Sequence, residues 1–430
     1  MTNPTGDVFI SYKHSQQDLA EKLEISLRNH GIPVWRDVHD IGPDPLEQQI
    51  REDLQDSNLA GGVAIISSDV TQSPVILKTE LPELHKRWRG DDEFFVVVVL
   101  VPGVDYDEGE AILSKAESPY DLSHWYMESL EVKGTSSSSS AIGRIINSIL
   151  DRMGQNQKTS GQLPTLDAVI DAVLERRLQC IHNHLSSNSP VECSLDTYSK
   201  PSYDIQLAVS IDWSPHFDDS IPEESLWNEE LLPALRTTTD YLQQETPGRE
   251  LRFRGRAHLP AVFSLGYCLP ETRGISTAWM QPDQDGNFSP WRLDRDLEES
   301  NLQSDLEEID RTASDLAVLV NITDDVKPEV GNTKSSLPDF NGILELGLGQ
   351  DSKGRLTPSE AAHAAKVFQE ELREAMNRLP ETSTLHLFMA APAGLAFLLG
   401  QKTNTSPAIQ TYILDTESGN RTYQPAVRLP

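Results

Sequence analysis

The feature that most restricts what this chain can fold into is an internal repeat in its second half. Residues 251–266 (LRFRGRAHLPAVFSLG) align without a gap with residues 385–400 (LHLFMAAPAGLAFLLG). Leu251, Ala257, Phe263, Leu265 and Gly266 recur as Leu385, Ala391, Phe397, Leu399 and Gly400. Further on, Asp285-Gly286-Asn287 is echoed by Ser418-Gly419-Asn420, and upstream the apolar stretch Leu207 to Trp213 is matched with Leu316 to Ile322. Self-similarity of this kind marks one supersecondary unit used twice. Each copy reads as strand, helix, strand, short loop, helix, strand, which predicts two related α/β halves. A helix opening just after Arg256 or Ala391 turns its first N–H groups toward the strand end, where an anion can sit. Two such halves facing each other build one composite, pseudo-symmetric pocket.

The first 150 or so residues follow a different rule. Asp7 to Tyr12, Ile32 to Trp35, Val63 to Ile66 and Phe94 to Val101 are short apolar runs. Between them lie helical spacings: Leu19, Leu23 and Leu27, then Leu46, Ile50 and Leu54. A last helix is predicted over 141–153, with Ile142, Ile145, Ile146 and Ile149 on one face. Strands that are continuously apolar, rather than alternating, belong to a parallel sheet covered on both faces. In such sheets a ligand occupies the crevice beyond the C-terminal strand ends. Those ends carry Ser11 to His14, Arg36-Asp37 and Ser67 to Asp69. The five serines of 136–140 suit a surface loop, and the polar stretch 154–164 suits an interdomain linker.

Composition bounds the partners. With 36 Lys and Arg against 67 Asp and Glu, the formal charge of −31 disfavours long nucleic acid and anionic membrane, both of which are held by basic side chains. A short anion in a locally basic pocket is not disfavoured. The N-terminus lacks a secretory pattern, and Phe94 to Pro102 is about half the length of a membrane span. Cys180, Cys193 and Cys268 have no metal spacing and form no even set, so reduced thiols in a cytoplasmic protein and no metal site are expected. No Gly-rich phosphate loop is present, which argues against hydride-transfer chemistry on a Rossmann frame.

Asp7 to Tyr12 with Asp18, Gly31 to Asp37, Ser67-Ser68 and Glu80-Leu81 stand in the order and spacing of TIR domains, and residues 6–153 resemble that family. The resemblance implies a flavodoxin-like doubly wound parallel sheet. In the enzymatic branch it also implies cleavage of NAD+ at the nicotinamide–ribose bond, with NAD+ as substrate and no other cofactor. It assigns Glu80 as the catalytic carboxylate, which would stabilise the oxocarbenium-like ribose. It places NAD+ contacts at Ser11, Tyr12, Lys13, His14, Trp35, Arg36 and Asp37. Asp37, His39 and Asp40 lie in a loop similar to that family's self-association loop. Members of the family often carry Trp-Cys four and three residues before the glutamate; here those positions are Ile76 and Leu77. Pro82 should break or restart the helix, which leaves Glu83 as a second candidate.

Residues 165–430, in halves of about 165–300 and 301–430, resemble the SAVED domain, a fusion of two CARF-like α/β units. The residues that carry this resemblance are His386 to Ala396, Gly400 and the strand around Tyr412. The resemblance implies binding of a cyclic oligonucleotide, a trinucleotide being favoured, in bacterial antiphage signalling. Contact residues expected from strand-end chemistry are Arg254 and Arg256, read as alternate residues on one strand face, with His258 at the helix start. Trp279 and Trp291 offer faces for base stacking, and Pro392, Ala393, Gly394 and Lys402 belong to the second helix opening and its end. Lys200 and Tyr203 are expected at the far end, in a subunit contact. The combined expectation is an effector whose ligand drives homo-oligomerisation, head to tail into a filament, and so switches on NAD+ cleavage. The alternative is a non-enzymatic adaptor whose TIR domains only self-associate.

Overall fold

A computed structural model describes residues 2–36, 46–115, 126–129, 166–199, 203–218, 220–283, 285–294, 298–310, 312–349, 356–416 and 421–430, with backbone alone at 46–49 and 126–129. The predicted helix 141–153, the serine tract, the linker 154–164 and the second-half turn at Ser418 to Asn420 lie outside the described residues, as do Asp37, His39, Asp40 and Lys200. Contacts divide the chain into two compact units, Met1–Leu27 with Ile32–His184, and Arg28–Gly31 with Leu185–Pro430.

The first unit is a parallel sheet of β1 (Asp7–Ser11), β2 (Val34–Arg36), β3 (Leu59–Ile66), β4 (Phe95–Leu100) and β5 (Tyr126–Ser129), in the order β2-β1-β3-β4-β5. This is the flavodoxin-like doubly wound order, and its switch point lies between β1 and β3. Every residue of β3 and β4 is buried, which explains their continuous apolar sequence. The unit's helices are α1 (Gln17–Asn29), α2 (Leu46–Leu54), α3 (Leu81–Gly90), α4 (Tyr106–Leu113) and α5 (Asp167–His184). Sequence reading grouped the residues of α5 with the second domain; in the structure the helix packs within the first unit, against β4. Arg177 of α5 is fully buried and donates to the carbonyls of Gly6 and Thr5, each at 2.7 Å. Helical periodicity shows that 167–184 has an apolar face but does not say which sheet that face covers.

The second unit holds two sheets. The first is β10-β9-β8-β6-β7, from β6 (Val191–Asp196), β7 (Val209–Asp212), β8 (Leu251–Arg254), β9 (Thr277–Pro282) and β10 (Phe288–Trp291). The second is β11-β13-β12-β14-β15-β16, from β11 (Leu302–Glu308), β12 (Asp315–Asn321), β13 (Phe340–Leu348), β14 (Thr384–Ala390), β15 (Ala408–Asp415) and β16 (Thr422–Leu429). Superposing β8 on β14, as the repeat dictates, lays β9 on β15, β10 on β16, β6 on β12 and β7 on β13. The counterpart of β12 is therefore β6, and the expected match of Leu207 to Trp213 with Leu316 to Ile322 is corrected by one strand. Hydrogen bonds confirm the new match. The N–H groups of Thr197 and Tyr198 donate to Arg256 O at 2.9 and 3.2 Å. Those of Ile322 and Thr323 donate to Ala390 O, both at 2.9 Å. The apolar run Leu207 to Trp213 stands out in the sequence, whereas β6 alternates apolar and polar residues (VECSLD) and offers no such run.

Helices α6 (Leu232–Glu245), α7 (Leu259–Cys268), α8 (Lys327–Thr333), α9 (Pro358–Arg378) and α10 (Ala393–Gln401) complete the unit. The repeated segment supplies α7 and α10, which are apolar all round and almost wholly buried, as such helices must be. Each packs on the other half's sheet as well: α7 meets β15 and β16, and α10 meets β9 and β10. They cross at the recurring glycines. A Cβ added at Gly266 would lie 2.0 Å from Phe397 O, and one at Gly400 would lie 2.1 Å from Phe263 O. Phe263 and Phe397 are themselves repeat partners, so the contact is reciprocal. Gly266→Ala and Gly400→Ala should each destabilise the second unit by roughly 1–3 kcal/mol through overpacking against backbone. Gly331→Ala in α8, where nothing lies within 4 Å, should be neutral or stabilise by up to about 1 kcal/mol. Urea unfolding of the three variants checks this, and a wild-type midpoint for Gly266→Ala would contradict it.

Candidate functional site

Pro82 shapes the first site. Proline has no N–H, and its ring clashes with the carbonyl four residues back. The chain answers with a π turn over Ile76–Glu80, closed by Leu81 N–H donating to Ile76 O, and α3 restarts at Leu81 with Pro82 in its first turn. Single π turns of this kind recur at functional sites. Glu80, the last residue of the turn, is buried, and Ser11 at the C-terminal end of β1 donates its hydroxyl to Glu80 Oε2 at 2.5 Å. Glu83 is buried as well but is engaged elsewhere, 3.4 Å from both Arg51 and Lys86, with Gln55 Nε2 donating at 3.2 Å. Of the two candidate carboxylates, Glu80 is the one at the β1 strand end, beside the switch point.

Around it, Lys13 pairs with Asp69 Oδ2 at 3.0 Å and donates to Asp69 O at 2.9 Å, joining the ends of β1 and β3. The hydroxyl of Ser67 (2.5 Å), the Lys13 ammonium and the hydroxyl of Ser15 (2.9 Å) hold the Asp69 carboxyl down at about 2. Sequence reading placed Asp69 at a strand end without giving it a role; the signal available was its position two residues after Ser67. Arg36 donates to Glu24 Oε2 at 2.8 Å and to the Tyr12 hydroxyl at 3.3 Å. Trp35 packs on Phe9 with ring centroids 4.9 Å apart, and His14 is exposed. Asp37 lies outside the described residues.

In the second unit the expected contacts separate. Strand β8 ends at Arg254, and Gly255, with φ 151°, breaks the alternation that was to put Arg254 and Arg256 on one face. A side chain there would strike Leu195 O at 1.9 Å. Arg254 is buried and paired with Glu192 at 2.7 Å, whereas Arg256 is exposed. Trp279 is fully buried beside Phe397, and Trp291 is buried with its ring against Gly394, so neither presents a face to a base. Both belong to strands whose sequence does not show which side is covered. Gly394 N–H at the opening of α10 donates to Gln281 Oε1 at 2.9 Å, Pro392 caps that helix ahead of Ala393, and Lys402 is paired with Glu271. Tyr203 lies at the C-terminal end of β6, not the far end, and donates to Asp196 Oδ1 at 2.8 Å.

His258 caps α7, and its ring lies between Tyr198 (4.2 Å) and Phe217 (4.8 Å), nearly parallel to both. Thr197 Oγ1 accepts from the His258 amide at 2.8 Å and stands 2.7 Å from Nδ1. Burial pushes the imidazole down to about 4. An unfolded histidine protonates near 6.5, so the unfolded chain takes up more protons between those values. The stability contributed by neutral His258 is therefore complete above pH 6.5 and is lost as pH falls toward 4. The melting temperature should drop between pH 7.5 and 5, and His258→Gln should shrink that drop by a few degrees. An unchanged pH slope in thermal melts would contradict the assignment.

The TIR domain family matches residues 8–132, and the family described as the SMODS-associated and fused to various effectors sensor domain, SAVED, matches residues 234–429. The chain carries a TIR domain followed by a SAVED domain. CD-NTase-associated protein 4 of Enterobacter hormaechei is 25% identical over 191 residues, which is 44% of this chain and 37% of the length of that curated relative. Two solved structures that align with the chain are the Acinetobacter baumannii Cap4 SAVED/CARF-domain containing receptor with the cyclic trinucleotide 3'3'3'-cAAA and its Moraxella osloensis counterpart. Both are 16% identical, with TM-scores of 0.46 and 0.41, and both alignments cover 91% of this chain and 86% of the other. Among the described residues, no helix is long and apolar enough to cross a membrane.

Proposed function

We propose that this chain is an antiphage effector in which a cyclic oligonucleotide, bound by the SAVED domain, switches on NAD+ cleavage by the TIR domain. The observation that carries the reading is the Ser11–Glu80 pair, a buried carboxylate fixed at the crevice of a TIR sheet. Breaking the nicotinamide–ribose bond builds positive charge on the ribose. A pre-oriented carboxylate stabilises that charge without having to reorganise when it forms. Water then adds at the anomeric carbon, giving nicotinamide and ADP-ribose, and the cell's NAD+ is depleted. Lys13 follows β1 and Arg36 ends β2, and both are already paired with carboxylates. Binding of NAD+ phosphates there requires the ligand to compete with Asp69 or Glu24. That competition fits an enzyme that stays silent until ligand-driven association in the cytoplasm rearranges the crevice.

The test is nicotinamide release by the purified chain with NAD+, alone and with a panel of cyclic di- and trinucleotides. The chain alone should be inert, and one ligand should start turnover. Glu80→Gln should lower that turnover by at least about 100-fold, whereas Glu83→Gln should keep ligand-dependent activity. No release with any ligand would overturn the reading. Release that survives Glu80→Gln would remove Glu80 from the chemistry, and association without cleavage would favour the adaptor alternative.

A further inference from the structure

We infer that Asp69 is a built-in competitor of the substrate: its carboxylate occupies the Lys13 ammonium that an NAD+ phosphate would use, and so weakens the hold on NAD+ without touching the chemical step. The inference rests on the reading above and adds to it a residue that regulates substrate affinity.

An ammonium has three N–H donors and no more. Those of Lys13 meet Asp69 O at 2.9 Å, Asp69 Oδ2 at 3.0 Å and Gln72 Oε1 at 3.5 Å. Lys13 is therefore saturated, and two of its three acceptors belong to one residue. Asp69 is held as fully in return. Ser67 Oγ donates to its Oδ1 at 2.5 Å, and Ser15 Oγ donates to Oδ2 at 2.9 Å beside the lysine. These donors keep the carboxyl at about 2, so near neutral pH protonation does not release Lys13. Only a competing anion does.

The pair stands where substrate enters. Lys13 follows β1 and Asp69 follows β3, and the crevice of a doubly wound sheet opens between those strand ends. Ser11, which holds Glu80, ends β1 just before them. Arg36 differs in kind. A guanidinium carries five donors, and Arg36 spends Nε on Glu24 and one Nη1 donor on Tyr12. It can take a phosphate oxygen and keep Glu24. Of the two carboxylates that face these cations, only Asp69 has to leave.

The size of the effect follows from exposure. The Lys13 side chain is 23% exposed and that of Asp69 33%, so the contact is worth about what a surface ion pair is worth, roughly two- to fivefold in affinity. That makes Asp69 a tuner of KM rather than a lock. With a raised KM, cleavage slows progressively as NAD+ runs down.

Nicotinamide release by the full chain over a range of NAD+ concentrations tests the assignment, with the member of a cyclic di- and trinucleotide panel that starts turnover held at saturation. Asp69→Asn should lower KM about two- to fivefold and leave kcat within about twofold. Its KM should also rise more steeply with salt, because an unpaired lysine attracts phosphate through a screened field, whereas the native pair exchanges one anion for another. Lys13→Ala should raise KM, and Asp69→Asn added to it should change nothing further, as expected of two residues acting through one contact. Asp92→Asn, which removes the same charge from an exposed position ahead of β4, should leave KM alone. Should thermal melts show the asparagine variant unfolded, Asp69→Ser, which keeps a short polar side chain in the turn, is read in its place. An unchanged or raised KM, or a kcat that falls with it, would overturn the assignment and leave the functional reading standing. If no member of the panel starts release by the unmodified chain, the functional reading fails and this assignment with it.

Discussion

The SAVED unit depends on one contact, the crossing of α7 and α10 at Gly266 and Gly400. Backbone meets backbone there with no room for a single carbon. Because each helix opens directly after the central strand of its own sheet, the crossing fixes the separation of the two sheets. It also fixes the positions of both helix openings, and hence of His258 and Pro392 at their caps. The two phenylalanines reciprocate across it, so small residues and large ones alternate along the seam, as close-packed interiors require. A recurring glycine in a helix that gains nothing from glycine's flexibility is explained by this approach alone.

Much of the architecture was legible in the sequence because hydrophobic runs report burial directly. Uninterrupted apolar strands announced a covered parallel sheet, and the repeat announced two halves. What escaped were matters of partner choice. Residues 191–196 and 209–212 are both strand-like, and only the sheet order shows that the former pairs with β8. The helix 167–184 is amphipathic wherever it docks. The local structure around Glu80 was legible in part for a similar reason. Glu80 and the restart at Pro82 followed from motif and from the missing amide. That Ser11 would hold the carboxylate depends on strand β1 and a turn nearly seventy residues later meeting in space, which no local pattern encodes. The tryptophans went the other way. An aromatic ring serves a core and a base equally well, and Trp279 and Trp291 serve the core. The reading of Arg254 and Arg256 as alternate residues on one strand face failed for a backbone reason, since Gly255 redirects the chain between them.

The two candidate sites share a design. In each, groups that would meet a ligand are already tied to oppositely charged or hydrogen-bonding neighbours: Lys13 to Asp69, Arg36 to Glu24, Arg254 to Glu192. With a surplus of 31 negative charges, cations seldom stand alone. A ligand therefore has to displace a carboxylate as well as find a cation, and discrimination is built from that exchange rather than from attraction alone.

The buried Arg177 has a consequence for how such chains are rearranged over time. Its two hydrogen bonds run from α5 back to Thr5 and Gly6, at the threshold of the first strand of the TIR sheet. Were the TIR domain exchanged between chains by a cut near residue 160, the recipient would lose the guanidinium, and two carbonyls would be left unanswered beneath an uncovered sheet. The seam at which recombination can pass without such damage lies after His184. The compact unit is the TIR sheet together with α5, ending at His184, whereas the family match ends at residue 132.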